Sequence, residues 1–353
     1  TRAVVLAERL AVPALKLLAA INVLFFLTFL LVAWMAMGEA RAETPACTGI
    51  DLYEALETDD PAAAKAIANE AKETPNGSGL LWKVEKDGLA PSFLFGTMHM
   101  TDPRVTALPS GAQAAFDAST TVVIETTDVL DQGKMMAALA QKPELMMFTD
   151  ATTLPSLLSD EDRAAVEAGL AARGISLASV AKMKPWMLAA MVALPACEMA
   201  RKAAGEPVLD VKLAKDAEAS GKTLRGLETA VHQLEAMNSL PLDFHLRGLV
   251  ETVKLGDRID DVIESMIGLY VKGEIGMIWP LFRAVLPNGG VEDGYAAFEQ
   301  VMVTARNKTM AVEAQPILEE GGAFIAVGAL HLPGEEGIIE LLRKAGYTVT
   351  PAS

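Results

Sequence analysis

The chain has 353 residues, a net charge of −16 and 51% hydrophobic content, room enough for one large domain or two modest ones. Its acidity argues against nucleic acid and anionic lipid surfaces as partners. An aromatic content of 5% argues against a platform for stacking single-stranded bases.

Residues 1–42 read apart from the rest. Leu17 to Gly38 carries no charge, Arg2, Arg9 and Lys16 precede it, and Ala40-Arg41-Ala42 offers a small-x-small cleavage pattern. Basic, apolar and cleavage regions in that order describe an export signal. About 20 apolar residues can also span a bilayer, so an uncleaved anchor in the inner membrane through residues 17–38 stays open. Either route places residues 43–353 outside the cytoplasm, periplasmic or secreted. The first 42 residues carry a net of +2, which leaves the remainder at −18.

Ile50 to Lys72 has the alanine-rich, charged texture of a helix, and Thr74 to Gly79 breaks it. Leu80–Glu85 and Ser92–Thr97 flank Lys86-Asp87-Gly88, a hairpin signal. A helix over Ser110–Ser119 and a β-branched strand over Thr120–Glu125 follow. From about 130 to 320 the texture turns helical. Expected helices start at Ser159 (ending at Gly174) and at Pro185 (through Cys197 towards Lys202). Others span Val208–Ser220, Thr229–Asn238, Leu242–Lys272 and Val291–Ala311. Gly322–Val327 and Tyr347–Val349 then read as strands around a helix over Glu335–Ala345. The expected class is α/β: a central sheet from the N- and C-terminal segments, with a large helical middle region covering it. The domains would be 1–42, signal or anchor, and 43–353.

Two of the four histidines share one setting. Phe93-Leu94-Phe95-Gly96-Thr97-Met98-His99 and Phe324-Ile325-Ala326-Val327-Gly328-Ala329-Leu330-His331 each run a buried strand into Gly-x-x-His. A flexible turn releasing an imidazole from a strand end suits a metal or catalytic site. Glu125 ends the strand after the first motif. Neutral imidazoles with a carboxylate suit a first-row divalent metal, which can acidify bound water. Single histidines of this kind also occur as turn hydrogen-bonders, and only the pair with Glu125 points to a site. Glu228 opens an expected helix, where a carboxylate also serves the helix dipole. Arg306 sits among small and apolar residues, either as a surface ion pair or as a fork for a substrate or site carboxylate. Asp210 and Gln233 are polar without an assigned role. His232 and His245 read as surface or structural. Cys47 and Cys197 lack a CxxC partner; outside the cytoplasm they suit a disulfide, with two separate buried thiols as the alternative. HExxH, GxSxG, GxGxxG, the P-loop and calcium-loop patterns are all missing.

Leu94-Phe95-Gly96-Thr97-Met98-His99, Val123-Ile124-Glu125, Gly226-Leu227-Glu228-Thr229 with Gln233, Arg306-Asn307 with Met310, and Gly328-Ala329-Leu330-His331-Leu332-Pro333-Gly334 occur in this order. So arranged, the chain resembles the TraB/GumN (TraB/PrgY/GumN) family, in its exported bacterial GumN-like branch, Cys47 and Cys197 included. The resemblance implies relation to the animal Tiki metalloproteases and a fold similar to the erythromycin esterase and ChaN-like group. It implies His99 and His331 as metal ligands, Glu125 as a further ligand or general base, and Glu228 and Arg306 as supporting catalytic residues. It implies manganese or cobalt rather than zinc. The expected function is an exported metal-dependent hydrolase, a peptidase acting on peptide or small-molecule substrates. The alternative is a non-enzymatic protein that sequesters a peptide or a haem-like small molecule.

Overall fold

Six strands form one mixed sheet in the order β4-β3-β5-β2-β1-β6. They are β1 (Leu81–Glu85), β2 (Ser92–Thr97), β3 (Thr121–Ile124), β4 (Thr223–Gly226), β5 (Ala323–Gly328) and β6 (Thr348–Pro351). This is a computed structural model, and it describes residues 47–285 and 292–352. The expected export or anchor segment, with its apolar run 17–38, lies outside the described residues.

β4, β3, β5 and β2 run parallel, while β1 is antiparallel to both β2 and β6. Strands from the N- and C-terminal parts of the described residues, β2 and β5, therefore meet at the middle of the sheet. β2 pairs with β5 in a register that sets Thr97 opposite Gly328. Parallel strands buried on both faces carry continuous apolar runs, and Leu94, Phe95, Val122, Val123 and Phe324 to Val327 are all buried. Phe324 lies between Phe95 and Phe116, its ring centroid 5.6 Å from each.

The helical middle also supplies an edge strand that its texture did not announce. β4 reads Thr-Leu-Arg-Gly and is at best half-buried, so no apolar run marks it. Several expected helices are broken. The 50–72 segment divides at Asp60, whose backbone leaves the helical region before Pro61 and whose side chain caps the second helix. The helix from Pro185 ends at Val192, and Ala196–Ala203 restarts it after Pro195. The 242–272 stretch divides at Gly256, which adopts φ 54°. The helix expected over 291–311 comprises Glu292–Glu299, a π turn at Gln300–Thr304 and the helix Ala305–Leu318. No helix among the described residues is long and apolar enough to cross a membrane.

A satellite core away from the sheet joins Val166, Leu170, Leu188, Val192, Leu249 and Val253. Its helices meet where Gly169 lets Val253 approach; a Cβ there would come within 2.8 Å of the valine. Cys47 and Cys197, 150 positions apart in sequence, are disulfide-bonded with Cα atoms 5.4 Å apart. Replacing both cysteines by alanine is expected to lower unfolding stability by about 2–4 kcal/mol. Urea unfolding checks this, and an unchanged midpoint and slope contradicts it.

Candidate functional site

The four parallel strands all end at one rim, the place where open α/β sheets put their sites. His99 follows β2 by two residues, Glu125 follows β3 directly, Glu228 follows β4 by two, and His331 follows β5 by three. The glycine of each motif is there for lack of room. A Cβ on Gly96 would lie 2.8 Å from Leu332 Cδ1 and 3.0 Å from Ala329, inside the turn that carries His331. A Cβ on Gly328 would lie 3.2 Å from Glu125 Oε1 and 3.4 Å from the His331 ring. The two motifs thus pack into each other.

Both imidazoles are held by Nδ1. The Asp210 carboxylate accepts from His99 Nδ1 at 2.7 Å and from Thr97 Oγ1 at 2.6 Å. Asn307 Nδ2 donates to the Glu336 carbonyl at 2.8 Å, which leaves its Oδ1 to accept from His331 Nδ1 at 2.6 Å. Each ring is therefore an Nδ1 donor, and Nε2 is left for the cavity between them. A carboxylate or amide oxygen behind an imidazole is the support that orients metal-binding histidines.

The two rings have opposite electrostatics. The neighbouring Asp210 carboxylate raises the His99 pKa to about 9. The His99 ring is thus protonated at neutral pH, and a cation entering the cavity must displace that proton. Burial lowers the His331 pKa to about 4, so that ring is neutral and free to donate its lone pair.

Arg306 is the hub of the acidic side. It is buried and pairs through Nη2 with Glu125 Oε2 at 2.5 Å and with Glu228 Oε1, while Nε reaches Glu228 Oε1 at 3.0 Å. Gln233 Nε2 bridges the same carboxylates, at 3.0 Å from Glu125 and 2.8 Å from Glu228. The π turn before Arg306 supplies the Met302 carbonyl, which accepts from Arg306 Nη1 at 3.1 Å. Glu125 Oε1 accepts from the Gly328 N–H at 2.7 Å and lies 3.7 Å from His331 Nε2. Burial works against its ionisation, but the imidazoles, Arg306 and the Gly328 N–H outweigh that and hold its pKa at about 2.

These groups open onto a cavity of about 430 Å³ lined by His99, Glu125, Arg306 and His331. Its remaining wall is apolar, from Met98, Met266, Trp279, Phe282, Phe298 and Met302. Among the described residues no three His, Cys, Asp or Glu side chains converge closely enough to enclose an ion. The donor chemistry nevertheless suits a divalent cation. Two oriented imidazoles, one already neutral, and an ionised carboxylate face one space, with Arg306 limiting the carboxylate's surplus charge.

All of His99, Glu125, Glu228, Arg306 and His331 come together at this rim. Asp210, Gln233 and Asn307, whose roles the sequence left unassigned, prove to hold them. Asp210 stands in the first turn of the helix Leu209–Ala219, far from any motif, and only the fold brings it to His99. Tyr270, unmarked in the sequence, donates to the Gly96 carbonyl at 2.9 Å. His232 is half-exposed with Nδ1 3.5 Å from Glu228 Oε2, and His245 is buried in the helix Leu242–Leu255.

The family model of the TraB/PrgY/gumN family matches residues 80–351, the stretch that holds every one of these side chains. The chain belongs to that family. It is 26% identical over 323 residues to metalloprotease TIKI1 of Danio rerio, covering 78% of this chain and 64% of the relative. It is 25% identical over 319 residues to metalloprotease TIKI1 of Homo sapiens, covering 78% and 62%. With the metalloprotease TIKI homolog of Nematostella vectensis it shares 24% over 322 residues, covering 78% and 67%. The chain thus spans somewhat under two thirds of the length of the first-named relative. No solved structure matches it.

Removing the hub should expose its cost. Arg306→Ala leaves two buried carboxylates without their cation and is expected to lower stability by about 3–5 kcal/mol at neutral pH, with Arg306→Lys recovering part. A loss below about 1 kcal/mol by urea unfolding contradicts this. Glu125 titrates below its ordinary 4.5 in the fold, so its contribution is present above that pH and disappears as pH falls towards 2. The stability gap between wild type and Glu125→Gln is therefore expected to narrow from pH 5 to pH 2; a constant gap contradicts the pairing.

Proposed function

We propose that this protein is an exported metal-dependent hydrolase acting on peptide bonds. The observation that carries the reading is the convergence of two Nδ1-tethered imidazoles and Glu125 on one cavity, in a family whose curated relatives are named metalloproteases. His99, His331 and Glu125 would hold the ion. Manganese or cobalt is preferred over zinc because the protein resembles the Tiki enzymes. A divalent ion bound there would polarise a substrate carbonyl and lower the pKa of water.

The chain's own residues supply the rest. Asp210 and Asn307 keep the Nε2 atoms presented to the cavity, so no ring reorganisation is needed when the site fills. Glu125 is ionised at neutral pH, so besides holding the ion it can orient a bound water or accept its proton. Arg306 and Gln233 fix that carboxylate against Glu228. The Arg306 guanidinium lines the cavity, where it can steady a substrate carboxylate or developing oxyanion. The apolar wall can accommodate apolar side chains of a substrate. Location outside the cytoplasm rests on the Cys47–Cys197 disulfide, which persists in oxidising compartments.

Purified protein dialysed against manganese or cobalt is expected to retain one ion per chain. His99→Ala and His331→Ala should each lose it by elemental analysis. Full stoichiometry in both variants refutes the ligand assignment. Incubated with a peptide panel, the loaded protein is expected to cleave, and Glu125→Gln to lose at least about a hundredfold in kcat/KM. Tight peptide binding with no cleavage would instead establish sequestration as the activity.

A further inference from the structure

The segment that carries His99 has a second anchor besides Asp210. Two residues on, Thr101 is buried and is gripped by Glu198: its N–H donates to Oε1 at 2.8 Å and its hydroxyl to Oε2 at 2.8 Å. Glu198 has no solvent exposure and follows Cys197 directly in the short helix Ala196–Ala203. Arg201, one turn later, donates to Thr101 Oγ1 at 3.0 Å, to Glu198 Oε2 at 3.1 Å and to Cys47 Sγ at 3.3 Å. Its guanidinium also lies 3.5 Å from Asp102, which Arg104 ties to Glu264 on the helix Arg258–Lys272.

A buried carboxylate is expensive to place, and this one is spent on the backbone of a loop rather than on a core contact. The side chain that the loop presents, His99, is 61% exposed and so receives little packing support of its own. The helix that offers Glu198 is bounded by Pro195 and Gly205 and is joined to Cys47 through the disulfide at Cys197. Disulfide, helix and carboxylate thus form one chain of contacts ending two residues from the imidazole.

We propose that Glu198 is a positioning residue for His99, and that the Cys47–Cys197 disulfide acts on the site through it. The proposal rests on the reading of His99 as a metal ligand. It assigns the disulfide a role beyond stability: it holds the helix whose carboxylate sets where the His99 loop stands. Support behind a metal ligand usually contributes about tenfold to a hundredfold in affinity.

The test is a Co²⁺ titration of the full chain followed by visible absorption, with amide hydrogen exchange over residues 98–102. Glu198→Gln keeps the shape, and Cys47→Ala/Cys197→Ala removes the fastening. Each is expected to weaken Co²⁺ binding about tenfold and shift the cobalt bands, and the triple variant to bind no more weakly than the weaker parent, because the changes act along one path. Folded variants with wild-type affinity and unaltered bands overturn the proposal. If wild type itself binds no Co²⁺, the metal reading falls and exchange decides the positioning role alone. About tenfold faster exchange at Thr101 in both variants upholds it, and unchanged protection overturns it. Should Glu198→Gln fail to fold, Thr101→Val, which removes the hydroxyl contact alone, carries the same test.

Discussion

The parallel pairing of β2 with β5 is the constraint on which the rest of this molecule depends. It joins strands more than 200 residues apart in sequence and sets Thr97 beside Gly328. Both chains then leave the sheet at the same rim, through turns that fit only because Gly96 and Gly328 lack side chains. Two histidines three residues past those glycines must consequently share a space. Neither motif makes a site alone; the sheet makes it by register.

The second requirement is charge balance in a buried place. Glu125 and Glu228 both end in the interior at this rim, and two carboxylates together there would repel and draw protons. Arg306 resolves this by forking to both, with Gln233 bridging them. The arginine in turn depends on a π turn, a local departure from regular helix of the kind often found at functional positions. A geometry that keeps Glu125 ionised beside a neutral His331 is suited to a cation.

Much of this could be read in the chain before any coordinates. The β-branched and apolar runs of β2, β3 and β5 announce buried strands, and the repeated Gly-x-x-His marks the two that matter. Pro61, Pro195 and Gly256 each split what hydrophobic patterning alone presents as one helix. β4 stayed hidden because a short, half-exposed edge strand has no apolar signature. Asp210 and Glu198 stayed hidden for a different reason. A single carboxylate on an ordinary amphipathic helix looks the same whether it faces water or an imidazole, and only tertiary packing distinguishes the two.

The measurement that bears most directly on this picture is X-ray absorption at the cobalt edge of protein loaded with one equivalent of Co²⁺. Convergence of the two strand ends predicts two imidazole nitrogens at about 2 Å from the metal, with the multiple-scattering pattern of intact rings. A spectrum showing one imidazole or none, with only oxygen scatterers around the ion, would mean that His99 and His331 do not meet on a common guest.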